Sequence, residues 1–327
     1  MTLHKEVFSA LELPVLTALF RDADLKIVDI GGRDSAFAGA LPLAPFTHYY
    51  VAEPDAQEAE RLQEELPRVT PWRAVTVIKQ AIAPHRGEAT LHITRKPGMS
   101  SLLEPDREVT RRYCLNRKFE VVSDVTVPTL PLDDAAATYG FTDAAFLKVD
   151  TQGTELDILR SGAHLVRESL LGIHTEAEFQ PFYKGQALFA DVDQHLRANG
   201  FMLVSLSRTA LRRAHYRKDL FSKRVTTWAH CLYLREPRGL LLRGGDVPRD
   251  VARLLALTIA FEHYDLAFEV LDLAREVHLL PEADVNRARS EVEQIARLST
   301  RRLLHVKREE AEPEDLLAPA SRDTRLE

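Results

Sequence analysis

Short apolar runs alternate with longer amphipathic stretches over the first two thirds of the chain. The runs at 26–30, 49–52, 75–78, 144–149 and 172–175 are too brief for core helices and read as β-strands. Further strands are predicted at 89–93, 121–127, 201–207 and 229–234, with 89–93 set to pair with a later strand. Between them lie helical patterns at 56–66, closed by Pro67, at 132–139, and at 190–199, with Gly200 in the C-cap position. Residues 1–21 read as helical, broken near Pro14, and 95–119 as polar and irregular. Strands that alternate with helices at this spacing predict an α/β fold, a mostly parallel sheet with helices on both faces.

The pattern changes after Gly244-Gly245. From Pro248 to about Leu304 the sequence is helical, with apolar stripes that include Leu254, Leu255 and Ile259, then Leu266, Val270 and Leu271. These predict two helices meeting near 263–265, similar to one tetratricopeptide hairpin. The organisation expected is a main domain at 1–243, a small C-terminal helical extension at 244–306, and a Glu/Pro/Arg-rich tail at 307–327 that is expected to be disordered. The extension would serve homo-oligomer formation or docking.

Acidic residues stand at or beside several strand ends. Asp29 is followed by Gly31-Gly32, Glu53 follows the second run, Asp150 the run at 144–149, and Glu176 and Glu178 the run at 172–175. In open parallel sheets, ligands bind at that edge. Asp150, Gln152 and Glu155 are thus placed where chemistry occurs, although Asp150 or Thr151 also suits a helix cap. Gly31 would let a ligand approach the backbone closely. Arg33 and Asp34 stand where a dinucleotide fingerprint would continue, which argues against a pyrophosphate cradle. A carboxylate such as Glu53 is suited to two ribose hydroxyls. A strand–Asp–Gly turn followed by strand–Glu is the arrangement of an S-adenosylmethionine site.

The ordered run of motifs extends this. It comprises Asp29-Ile30-Gly31, Glu53-Pro54-Asp55, Ser100-Ser101-Leu102, 127–133, Leu147-Lys148-Val149-Asp150-Thr151-Gln152-Gly153-Thr154-Glu155, and Thr175-Glu176-Ala177-Glu178-Phe179 with Tyr183 and Gln186. Over about residues 25–235 the chain resembles the FkbM family of methyltransferases. The resemblance implies a class I methyltransferase-type, Rossmann-like sheet. It also implies S-adenosylmethionine-dependent O-methyl transfer, often to a hydroxyl of a sugar, nucleotide-sugar, glycan or glycosylated metabolite. It places Asp29, Gly31, Gly32, Glu53, Gln80 and Ala81 around the cofactor and Asp150 toward the substrate. The family's usual Gly-Ala-Asn after the first acid is replaced here by Gly31-Gly32-Arg33. Arg33 could pair with the cofactor's carboxylate or obstruct its pocket.

Other residues carry weaker signals. His174 could accept a hydroxyl proton, or be a packing histidine. Glu176 and Glu178, two apart on one strand face, could hold hydroxyls, supply the base, or with Asp150 bind a divalent metal, which carboxylates alone do not favour. Arg208, Arg212, Arg213, Arg217, Lys218, Lys223 and Arg224 form one basic cluster, and Arg107, Arg111, Arg112, Arg117 and Lys118 another. With Arg212 and Arg213 as candidate substrate contacts, these suggest an anionic acceptor, such as a nucleotide-sugar or a lipid-pyrophosphate-linked glycan. RNA is open as well, since Tyr216, Phe221 and Trp228 are interleaved with the cations, and a plain solvated loop weighs as much as any of these.

The chain has 327 residues and a net charge of −6, so no global attraction to nucleic acid or anionic membrane is expected. Two cysteines without metal spacing, Cys114 and Cys231, are expected to be buried packing residues. No apolar stretch is long enough to span a bilayer, and the N-terminus lacks a signal-peptide pattern, so a cytoplasmic protein is expected. A non-catalytic binding or assembly protein on a degenerate methyltransferase core is the alternative. A nicotinamide oxidoreductase ranks third.

Overall fold

The computed structural model describes residues 11–32 and 36–311, with side chains as far as residue 300. Arg33 and the end of the tail lie outside the described residues. Ten strands are present: β1 Leu25–Ile30, β2 Thr47–Ala52, β3 Ala74–Ile78, β4 Ala81–Ile82, β5 Gly87–Thr94, β6 Val121–Leu130, β7 Phe146–Val149, β8 Gly172–Glu178, β9 Phe201–Leu211 and β10 Val225–Arg235. The helices are α1 Pro14–Asp22, α2 Ala56–Val69, α3 Arg107–Arg112, α4 Leu132–Tyr139, α5 Glu155–Ser161, α6 Ala163–Glu168, α7 Phe189–Ala198, α8 Leu240–Arg243, α9 Val247–Ala260, α10 Tyr264–Glu276 and α11 Glu282–Ala311.

Seven strands form the central sheet in the order β3-β2-β1-β7-β8-β10-β9. Pairing is parallel from β3 to β8, and β10 is antiparallel to both β8 and β9. This is the class I methyltransferase-type arrangement. Successive residues alternate between two cores, as strand geometry requires. Tyr49, Phe146 and Leu232 face one cluster, whereas Tyr50, Leu147 and Tyr233 face the other. The second face is covered by α4, α5, α6 and α7 through Leu132, Leu159, Val166 and Leu196.

The first face is covered by α1, by 3₁₀ turns at Ala38–Phe46, by α2, and by the C-terminal helices. Leu254, Leu255, Ile259, Leu271 and Val292 belong to the same buried cluster as Phe20, Tyr49 and Phe146. The chain cannot be divided near residue 243 without cutting this core. Two polar contacts add to it. Arg253, 2% exposed, donates to the carbonyls of Ala23, Asp24 and Asp143 and to the Asp143 carboxylate. Glu291 accepts the amides of Val15 and Leu16 at 3.0 and 2.9 Å, capping the first turn of α1.

Several expectations need correction. Pro67 does not close α2, which runs on to Val69, because proline removes a single donor while its fixed φ suits the helix. Three long helices, not two, follow residue 246, and α11 continues past residue 306 to Ala311 on good helix formers. The irregular segment 95–119 contains α3, capped by Asp106. Cys114 is exposed, since its φ of +57° sits in the turn after α3, while Cys231 is buried. A second sheet, β4-β6-β5, was not expected beyond the pairing of its longer strands.

Candidate active site

The hydrogen-bond ladder of the central sheet runs past the strand ends and gathers three turns at one edge. Gly31 donates to the Ala52 carbonyl, Glu53 to that of Ile78, and Asp150 to that of Ile30. A cavity of about 900 Å³, counting its open mouth, lies there. It is lined by Gly31, Glu53, Gln80 and Ala81 together with Asp150, Gln152 and Thr154. Ala81, Ile82 and Leu91 of the small sheet cover it, and residues 97–102 close a flank.

Gly31 is required where it stands. Its φ is +79°, and a Cβ there would lie 2.0 Å from the Asp150 carbonyl oxygen. The next turn holds Gln152 at φ +62°, a conformation that costs a non-glycine residue free energy. Four hydrogen bonds fix it. Its carbonyl accepts from the Ser101 hydroxyl at 2.8 Å. Its amide donates to Asp150 at 2.9 Å and to Glu176 at 2.6 Å, and its Oε1 accepts from Tyr183 at 3.2 Å. The Gln152 amide therefore bridges two carboxyl groups from adjacent strand ends.

The acids divide by environment. Burial, then the charges of Asp150 and Glu155, pushes the Glu176 carboxyl well above the ordinary range. Burial likewise raises Glu178, with Glu155 and Glu176 adding to it. Burial lifts Glu155 to about 7, although Thr151 and Gly153 both donate to it. Glu155 is thus the staple of the 151–153 turn and does not line the cavity. Asp150 does line it.

Asp29 also lies elsewhere than expected. It is 1% exposed and sits beneath the cavity floor. It takes a hydrogen bond from Tyr49 and an ion pair from Lys148 at 3.0 Å. Lys148 in turn donates to the Gly31 carbonyl at 2.8 Å. Burial alone would lower the Lys148 pKa, but Asp29, Asp150 and Glu176 outweigh it and raise it. Asp29 and Lys148 thus shape the Gly31 turn from below. Gly32 is buried against Val51.

His174 is separated from the cavity. It packs at a tilt against Phe37, with ring centroids 4.7 Å apart, and stacks on His230 at 5.7 Å. These rings, with Ser205, Ser207 and Phe261, line a different hollow. Burial, then the neighbouring His230 and Lys148, lowers the His174 pKa to about 4, so the ring is neutral near pH 7. Arg212 and Arg213 are exposed and lie over the rings of Tyr216 and Tyr113. They do not line the cavity.

Sequence reasoning thus brought Gly31, Glu53, Gln80, Ala81, Asp150 and Gln152 to one place. It assigned no role to Lys148, Ser101 or Tyr183. A lysine inside a buried strand was the available signal for the first, since such a cation requires partners. Among the described residues, no group of three or more His, Cys, Asp or Glu side chains is arranged to hold a metal ion. No helix among them is long and apolar enough to cross a membrane.

The chain is similar to known proteins. The methyltransferase FkbM domain matches residues 29–203, more than half of the chain. The 2-O-methyltransferase NoeI of Sinorhizobium fredii is 25% identical over 194 residues, which span 57% of this chain and 73% of that protein. Two solved structures align more distantly. A SAM-dependent methyltransferase from Agrobacterium tumefaciens is 10% identical, with a TM-score of 0.33 over 68% of this chain and 60% of its own. The M. jannaschii protein TYW2, solved with AdoMet, is 12% identical, with a TM-score of 0.28 over 68% of this chain and 74% of its own.

Proposed function

The chain belongs to the FkbM methyltransferase family, and from that premise we propose that it moves a methyl group from S-adenosylmethionine to a hydroxyl oxygen of a sugar, nucleotide-sugar, glycan or glycosylated metabolite. The observation that carries the reading is one cavity lined together by Gly31, Glu53 and Asp150. The relationship to a 2-O-methyltransferase supports oxygen as the acceptor atom. Family membership favours an enzyme over a degenerate binding core.

The residues fit the methyl donor. Gly31 lets its turn sit directly against the Asp150 carbonyl at the cavity wall, and the Glu53 carboxylate, one oxygen pinned by the Asp55 amide at 2.9 Å, suits ribose hydroxyls. Gln80 and Ala81 would border the adenine side. When bound, S-adenosylmethionine supplies an electrophilic methyl group. In this reading Asp150 accepts the hydroxyl proton as the oxygen attacks. Gln152 holds Asp150 in place, and Glu176 steadies Gln152 from behind. Residues 97–102 limit access of water. Positioning supplies most of the acceleration, and the base adds about 10²–10⁴-fold.

Calorimetric titration with S-adenosylmethionine, S-adenosylhomocysteine and NAD tests the cofactor, and labelled methyl transfer to a panel of nucleotide-sugars and glycans tests the acceptor. Asp150→Asn should bind S-adenosylhomocysteine as the parent does yet lose turnover by the factor above. An Asp150→Asn protein that works at the parent rate would move the base elsewhere. Tight NAD binding without S-adenosylhomocysteine binding would overturn the assignment altogether.

A further inference from the structure

The loop that joins β9 to β10 combines dense positive charge with an exposed apolar tip. Arg208, Arg212, Arg213, Arg217, Lys218, Lys223 and Arg224 are all exposed, in a chain whose net charge is −6. The one acid in this stretch, Asp219, is taken up by Arg217. Between the two halves of this charge stand Leu220, 55% exposed, and Phe221, 90% exposed. Adjacent large apolar side chains held in water at a loop tip mark an interaction surface.

The fold enlarges the patch. Ala214 donates to the Arg112 carbonyl at 2.7 Å, and the Arg213 guanidinium lies 5.7 Å from the Tyr113 ring centre. Exposed Arg111 and Arg112 of α3 are thereby brought beside the loop, although about a hundred residues separate them in sequence. At the loop's base, Leu211, Val225 and Trp228 pack in one cluster with Tyr113, Met99 and Leu103. The charged face therefore adjoins the 97–102 flank of the cavity.

Exposed cations on both sides of an exposed Leu-Phe pair are complementary to one surface chemistry: phosphates in a plane with hydrocarbon beneath. Single-stranded nucleic acid would be met by aromatic platforms within a basic groove. Here the projecting pair includes a leucine, which has no π face, and Tyr216 is covered by Arg212 at 4.2 Å. We propose that the 212–224 loop docks this protein reversibly on an anionic lipid bilayer, Leu220 and Phe221 entering the headgroup boundary while the surrounding cations bind lipid phosphates. The proposal stands independently of the methyl-transfer reading, since it needs neither methyl donor nor acceptor.

Co-sedimentation of the full chain with vesicles tests it, using phosphatidylcholine alone and an equal mixture with phosphatidylglycerol. Binding is expected to the mixture only, and to weaken as salt is added. Lys223→Gln and Arg224→Gln should each lower the partition coefficient about fivefold, the usual contribution of one cation near an anionic surface. Phe221→Ser should lower it further, while Arg297→Gln on α11 should leave it unchanged. These side chains are exposed, so unfolding midpoints should match the parent and any loss can be read as lost docking. Absence of binding at low ionic strength, equal binding to both vesicle types, or indifference to the loop variants overturns the proposal. Tighter binding of single-stranded RNA than of vesicles through the same residues would overturn it in favour of a nucleic-acid surface.

Discussion

Replacing Gln152 by alanine should destabilise the site edge more than an ordinary loop substitution. Its side-chain amide donates to Asp150 at 2.9 Å and to Glu176 at 2.6 Å, and its Oε1 accepts from Tyr183. Hydrogen bonds to charged groups contribute roughly 1.5–3 kcal/mol each, and their loss leaves two carboxyls facing each other without a donor between them. Partial relief by water and by proton uptake brings the expected loss to about 2–4 kcal/mol at pH 8. The sign with pH follows from Glu176. Its folded pKa is already raised, so its stabilising proton is present at low pH and lost as pH rises. The Gln152 amide counters that rise, and removing it penalises the variant more at pH 8 than at pH 5. Gln152→Gly supplies a control. It loses the same amide but relieves the φ of +62°, so it should be about 1 kcal/mol more stable than the alanine variant. Urea unfolding of the three proteins at both pH values measures all of this. A loss below about 0.5 kcal/mol at pH 8, or one larger at pH 5 than at pH 8, would show that the amide is not what holds the acids.

Glu53→Ala should weaken S-adenosylhomocysteine binding by roughly 1–3 kcal/mol in a folded protein, and calorimetric affinity equal to the parent would remove Glu53 from the ribose. His174, with a folded pKa of about 4 against an ordinary 6.5, stabilises the fold fully above pH 6.5 and loses that contribution as pH falls toward 4. The loss is at most about 3 kcal/mol, and His174→Phe should flatten the acid limb of the stability curve in this window. Arg253→Met should cost about 3–5 kcal/mol in urea unfolding, because it strands buried carbonyls and the Asp143 carboxylate. A loss under 1 kcal/mol, on the order of a surface change, would mean the guanidinium is replaceable by packing alone.

What the sequence revealed of this fold was local. The acid that ends each apolar run, the glycines after Asp29 and the period of each strand are read within a few residues, and they delivered the sheet edge with Gly31, Glu53, Asp150 and Gln152. What escaped it was non-local. The small sheet depends on Ala81 meeting Thr129, a pairing that no short window contains. The displacement of Asp29 from the cavity depends on Tyr49 and Lys148, which reach it from the strands on either side. His174 and Glu176 share a strand face, yet two residues of rise carry His174 from the acids to the rings of Phe37 and His230. Two basic stretches that seemed separate become one surface only because Ala214 meets Arg112.

The helices after residue 246 looked separable for the same reason, since their stripes record that a face is buried and not what buries it. Their polar anchors explain why they belong to the sheet. Arg253 ties α9 to Ala23 and Asp24, just before β1, and to Asp143, just before β7, while Glu291 caps α1. The Arg253 contacts grip the N-terminal edge of the central strands, and Glu291 joins α11 to the helix that leads into β1. The cavity, with its buried acids and its left-handed Gln152, occupies the opposite edge. Groups that lower stability are thus set one strand length away from groups that raise it. The short strands β1 and β7, six and four residues long, carry the connection. A site that keeps several carboxyls out of water requires compensation elsewhere in a marginally stable fold, and the C-terminal helices are where this chain places it.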